Sequence, residues 1–149
     1  MPSHPFSLIQ AMSLYAREKS VVLAKFIEET LVLKYPWHLF PILQNRIVRA
    51  KIAKTAKIGA GTIIEGPCYI GENCQIGPNN VLMGPLDLEA GVKTGAFMEI
   101  KHSIVQENTH FHSGFLGDSL VGPNCRFGAG WVTANRRLDR QNIFSLVKG

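Results

Sequence analysis

The chain has 149 residues, enough for one principal core and a small appendage, and its composition is that of a folded protein rather than a disordered one. Sixteen Lys and Arg against eleven Asp and Glu leave a formal charge of +5, which suits an anionic partner or a plain solvated basic surface. Three cysteines do not make a disulfide framework. With no leader pattern in the first twenty residues and no apolar run of membrane-spanning length, they point to a reducing, cytoplasmic setting without a membrane partner.

Residues 1–45 read as a helical segment. Val22, Phe26, Thr30 and Leu33 recur at helical spacing, Leu23 and Ile27 widen the stripe, and Ser20 could cap a second helix. Pro36 and Pro41 break the pattern, and Trp37–Phe40 between them reads as a short helical turn. A short helical hairpin cannot bury its apolar face alone, so the segment reads as a cap or as a packing element against another copy.

Residues 46–149 read as a second domain with a different period. An apolar residue falls every six positions at Ile52, Ile58, Ile64, Ile70, Ile76, Leu82 and Leu88; Thr94 breaks the apolar rule but keeps the phase, and Ile100 restores both. Four residues after each comes a mostly small one: Ala56, Thr62, Cys68, Cys74, Asn80. Glycine directly follows the apolar residue at Gly59, Gly71, Gly77, Gly95, Gly122 and Gly128. This is a hexapeptide repeat, and it predicts a mainly β chain: a single-stranded parallel β-helix with three short strands per triangular coil. The apolar residue points into the prism, the small one faces inward near a corner, and glycine serves the corner, where backbone angles are unusual. Cysteines six apart fall on adjacent faces, as buried thiols rather than partners in a bond.

Regular phase ends at Ile100. Val105 follows after five residues and Phe111 after six; the phase is then lost through His112–Leu120 and resumes at Val121 and Phe127. The slipped stretch also carries the densest polar chemistry: Glu99, Lys101, His102, His110, His112 and Asp118. A solenoid that breaks its own rule over a polar stretch marks that stretch as a candidate site.

Three segments follow in order here: Gly95-Ala96-Phe97-Met98-Glu99-Ile100-Lys101, His112-Ser113-Gly114-Phe115-Leu116-Gly117-Asp118, and Phe127-Gly128-Ala129-Gly130 with Thr133-Ala134-Asn135. They resemble the acetyltransferase half of the bifunctional N-acetylglucosamine-1-phosphate uridyltransferase/glucosamine-1-phosphate acetyltransferases. The ending Asn135–Asp139 is closer to the archaeal-type sugar nucleotidyltransferase/acetyltransferases. The resemblance spans roughly 35–142 and implies a left-handed coil, a homotrimer, acetyl-CoA as co-substrate, and an amino-sugar phosphate or nucleotide sugar as ligand. It further implies His112 as general base, Lys101 on the sugar phosphate, and Asn135 as a substrate contact. A protonated amine must lose a proton before it attacks a thioester, and an imidazole titrating near about 6.5 is suited to take it.

Glu99 and Lys101, two apart, would share a face as functional neighbours or as an ordinary ion pair. Asp118 could orient His112 or form a turn after Gly117. Some positions depart from the family. Met83 stands where it carries an Arg for the phosphate, Phe115 where bacterial members carry a Tyr, and Arg126 where they carry an Asn; Arg136 or Arg137 could restore the missing charge. The chain carries no Gly-rich nucleotidyltransferase signature and has no room for that domain, so uridylyl transfer is not expected; it stops at Gly149, where in the family further coils form much of the acetyl-CoA site. The rival expectation is a catalytically reduced β-helix that only binds a sugar phosphate or serves as a scaffold. A zinc site using His102, His110 and His112 does not match a three-histidine spacing, and no metal is expected. Nucleic acid is not expected either, because no aromatic residues interleave with the basic ones on a groove.

Overall fold

The computed structural model describes residues 8–20, 32–134, 136–141 and 144. The predicted second helix, from the Ser20 cap through Leu33, falls outside them over 21–31, and Val32 and Leu33 are not helical. The chain divides into two compact units, 1–30 and 31–149. In the first, α1 (Leu8–Glu18) is an eleven-residue helix whose Met12, Leu14 and Tyr15 are exposed. Among the described residues no helix is long and apolar enough to cross a membrane.

The second unit opens with a 3-10 turn, Pro36–His38, that runs into α2 (Leu39–Arg46). Pro41 does not break the pattern as its presence suggests. It occupies the first turn of α2, where a backbone N–H has no intrahelical acceptor, so its absence costs nothing there.

Five coils follow. The first is β1 (Lys51–Ile52), β2 (Lys57–Ile58) and β3 (Ile63–Glu65); the second is β4 (Cys68–Ile70), β5 (Gln75–Ile76) and β6 (Val81–Met83). The third is β7 (Leu86–Leu88), β8 (Lys93–Thr94) and β9 (Met98–Lys101). The fourth is β10 (Ile104–Val105), β11 (His110–Phe111) and β12 (Gly114–Gly117), and the fifth is β13 (Leu120–Val121), β14 (Arg126–Phe127) and β15 (Trp131–Val132). Every third strand pairs in parallel, giving three five-stranded sheets that are the three faces of a left-handed β-helix. β1, β4, β7, β10 and β13 make the first face, the β2 series the second and the β3 series the third.

The core is the stack of predicted inward residues. Ile70, Leu88 and Val105 are fully buried on the first face, and Leu82, Ile100 and Leu116 on the third. On the second face Ile76 and Phe111 are buried, and Thr94 stands between them. Its hydroxyl accepts from Asn80 Nδ2 at 2.6 Å and from the Gly77 N–H at 3.0 Å, while Asn80 Oδ1 accepts the Met98 N–H at 2.7 Å. Thr94 therefore breaks the apolar rule as half of a satisfied buried polar pair. Phe111, Phe127 and Trp131 stack toward the last coil, with centroids 4.6 Å and 4.3 Å apart, and fill the prism where the inward residues run out.

Two expectations are corrected. The phase is not lost through His112–Leu120: Leu116 is fully buried and pairs with Ile100, so the stretch is two five-residue repeats, Phe111 to Leu116 and Leu116 to Val121. The glycines after the apolar residues do not serve unusual backbone angles. The left-handed corner positions belong instead to Asn73, Asn79, Asn108 and Asn124, with Gly61 and Gly91. Gly59, Gly77 and Gly95 are required because a Cβ there would meet the backbone of the next coil at 2.5, 2.2 and 2.0 Å.

Candidate functional site

The outer side of the third face carries the predicted residues. Register places Ile63, Val81, Glu99 and Phe115 in one outward row and Glu65, Met83, Lys101 and Gly117 in the next. Glu99 and Phe115 are half-buried and Lys101 is exposed. Met83 is the in-register neighbour of Lys101, so the departure from the family lies on the adjoining rung. The ion pairs among the described residues are His102–Asp118 and Arg137–Asp139, so Glu99 and Lys101 do not pair.

His112 marks the other end of this face. It follows β11 at the corner leading into β12, and its backbone N–H donates to Phe127 O at 3.0 Å. Its ring is exposed and has no hydrogen-bond partner among the described residues. The bend at Ser113 and the strand Gly114–Gly117 separate it from Gly117, the register partner of Lys101. Glu99 and Phe115 lie between the two ends on the outer side of the face.

Asp118 does not orient His112. Its carboxylate lies 2.7 Å from Nδ1 of His102. The cause is the pair of tight corners that shorten the coils. Ser103 Oγ donates to Lys101 O, and Ser119 Oγ donates to Gly117 O, each at 2.7 Å; the Ser119 N–H in turn donates to Ser103 Oγ. His102 and Asp118 occupy the same left-handed corner position, φ 43° and 47°, in successive coils, so their side chains stack and meet. Phe40 and Gln44 of α2 approach the same imidazole, with ring centroids 5.1 Å apart for Phe40. The shortening of this corner is visible in the sequence, but the pairing it produces appears only when the two corners are laid one above the other.

Arg137 is exposed and held by Asp139 through two hydrogen bonds. Asn135 lies outside the described residues. Among the described residues no three His, Cys, Asp or Glu side chains are grouped to hold a metal. Burial pushes the Cys68 and Cys74 thiols up, away from the reactive thiolate.

Residues 49–84 match the family described as bacterial transferase hexapeptide (six repeats). The chain is 40% identical over 58% of its length to the bifunctional protein GlmU of Marinobacter nauticus, covering 19% of that protein. It is 34% identical over 71% of its length to the GlmU of Clostridioides difficile, covering 23% of it. Over 95% of its length it is 31% identical to a bifunctional sugar-1-phosphate nucleotidylyltransferase/acetyltransferase of Sulfurisphaera tokodaii, covering 40% of it. The chain thus spans less than half the length of these relatives. It is a hexapeptide-repeat β-helix protein whose sequence resembles part of the GlmU and sugar-1-phosphate nucleotidylyltransferase/acetyltransferase proteins.

Proposed function

We propose that the chain is an acyltransferase that moves an acetyl group from acetyl-CoA to the amine of an amino-sugar phosphate such as glucosamine 1-phosphate. The observation that carries this reading is the outer side of the third face: Lys101 toward one end, Glu99 and Phe115 in register between, and at the corner beyond the other end the ring of His112, without a hydrogen-bond partner among the described residues. Lys101 holds the phosphate, Phe115 packs on the sugar and Glu99 accepts from its hydroxyls, with Asn135 and Arg137 as further substrate contacts. His112 takes one proton from the substrate ammonium. The free amine attacks the thioester carbonyl, the C–N bond forms and the C–S bond breaks. The second amine proton goes to the departing thiolate, and the imidazolium returns its proton to water. The protein acts as a homotrimer in the cytoplasm.

Release of the CoA thiol with glucosamine 1-phosphate as acceptor tests this directly. The expected result is turnover that His112→Ala lowers by about 10²-fold or more in kcat, and that Lys101→Ala weakens mainly through KM. Absence of turnover, or turnover indifferent to His112, sinks the reading. Met83 beside Lys101 favours a second reading, a catalytically reduced β-helix that binds the sugar phosphate without acting on it. That reading is held by glucosamine 1-phosphate binding without thiol release, and excluded by turnover.

A further inference from the structure

The second face of the β-helix carries a column of donor side chains that includes three cations. Each of its strands has two residues, the first pointing outward and the second inward. Register stacks the outward ones as Lys57, Gln75, Lys93, His110 and Arg126. At the usual strand spacing of about 4.8 Å the column runs for roughly 19 Å. Spacings of eighteen, seventeen and sixteen residues hide it in the linear sequence, where these residues share no period.

None of these side chains has a carboxylate partner among the described residues, whose ion pairs lie elsewhere. Lys57, Lys93 and Arg126 stand on alternate rungs, about 10 Å apart with Gln75 and His110 between them, so an anion set between two of them is attracted to both. Arg126 Nη1 lies 2.7 Å from His110 Nδ1. A guanidinium only donates, so Nδ1 accepts and the ring proton sits on Nε2. Desolvation, then Arg126 and Lys93, hold His110 below its ordinary range, so it stands neutral between two cations and offers one N–H. Beside the column runs a second one, Gly59, Gly77, Gly95 and then His112, the residues that follow each inward side chain. The glycines are enforced by the next coil's backbone, so no side chain covers the ground next to Lys57, Gln75 and Lys93.

We propose that the second face is a binding track for the diphosphate of a nucleotide-type ligand, with the two phosphates set between Lys93, His110 and Arg126. Lys93 and Arg126 are two rungs apart, about 10 Å, and bracket a diphosphate with the His110 N–H between them. All three present donors, as phosphate oxygens require. The bare glycine strip beside Gln75 leaves a flat bed for the nucleoside.

The test is calorimetric titration of the full chain with ADP, inorganic pyrophosphate and adenosine, at low and high salt. The expected order is ADP tightest, pyrophosphate next and adenosine at least tenfold weaker than ADP, with ADP binding weakened by salt. Lys93→Glu and Arg126→Glu each weaken ADP at least tenfold, and Arg126→Lys retains binding within threefold. Lys51→Glu, on the first face, changes it less than twofold. Should the charge reversals fail to fold by circular dichroism, Lys93→Gln and Arg126→Gln replace them, with at least a threefold loss expected. Equal losses from Lys51→Glu, or adenosine as tight as ADP, overturn the proposal. Pyrophosphate as tight as ADP reassigns the track to a free diphosphate. A single-stranded oligonucleotide that binds more tightly than ADP and displaces it reassigns it to nucleic acid. ADP binding is read without turnover, so the track stands or falls independently of acyl transfer.

Discussion

Asp87 points outward from the first face into the cavity beneath the segment after α2, and its Oδ1 is buried without a hydrogen-bond partner among the described residues. Burial first, and the neighbouring Glu89 second, raise its carboxyl to about 6. A raised acid binds its proton more tightly in the folded state. The stability it contributes is therefore present below the unfolded value of about 4 and is lost as pH rises through 6. At pH 7.5 the ionised carboxylate is a liability. Asp87→Asn is expected to stabilise there by about 1 kcal/mol, after discounting for partial exposure, with the gain in Tm vanishing near pH 4. A loss of Tm at pH 7.5 would mean that the carboxylate has a donor after all. In the sequence Asp87 is simply the residue before the inward Leu88. Its burial depends on where α2 settles, which no six-residue period encodes. His102 and Asp118 show the same limit. With an eighteen-residue coil His102 would face Leu120, and only the shortened corner brings Asp118 to it.

At the scale of single strands and corners, the repeat was legible because one inward residue per six leaves a periodic trace whatever its neighbours do. Its exceptions were not, since each depends on a contact across coils. Thr94→Val would restore the apolar pattern, yet it is expected to destabilise by about 1–3 kcal/mol, because the buried Asn80 Nδ2 loses its acceptor. Urea denaturation decides the sign, and a more stable variant would refute the buried pair as the reason for threonine. The glycines make a similar contrast. Gly95→Ala sets a Cβ 2.0 Å from the carbonyl oxygen of His112 and is expected to cost about 2–3 kcal/mol. Gly128→Ala, with nothing within 4 Å, is expected to stay within about 0.5 kcal/mol. Equal costs would show that the two glycines share a conformational role instead. Because Gly95 abuts His112, the first substitution also displaces the proposed base, and its effect on turnover should exceed its effect on stability.

For the molecule as a whole, the fold follows from the repeat, while the candidate site needed both the repeat and its interruptions. The family motif named His112 and Lys101, spacing added Glu99, and Phe115 entered as a departure from the family; the registers put Glu99, Lys101 and Phe115 on one face, with His112 at its corner. The same face leaves apolar groups in solvent, with Ile63 52%, Val132 64% and the corner residue Phe97 72% exposed. Such a row of exposed apolar groups is suited to packing against other copies. Sedimentation velocity is expected to return three times the chain mass. A monomer at micromolar concentration would remove the shared-interface part of the functional reading while leaving the single-chain row intact.

The change in coil length has a consequence for how such a rod can grow. From Lys51 to Tyr69 and from Tyr69 to Asp87 a coil takes eighteen residues; from Asp87 to Ile104 it takes seventeen, and from Ile104 to Leu120 sixteen. A copy of the second coil inserted after itself would meet its neighbours in register on all three faces. A copy of the fourth would not, because its corners are cut to fit the coils on either side. Duplication can lengthen the beginning of the rod, as adding links lengthens a chain, whereas the stretch bearing Lys101 and His112 behaves as a fixed fitting, whose dimensions cannot be altered one repeat at a time.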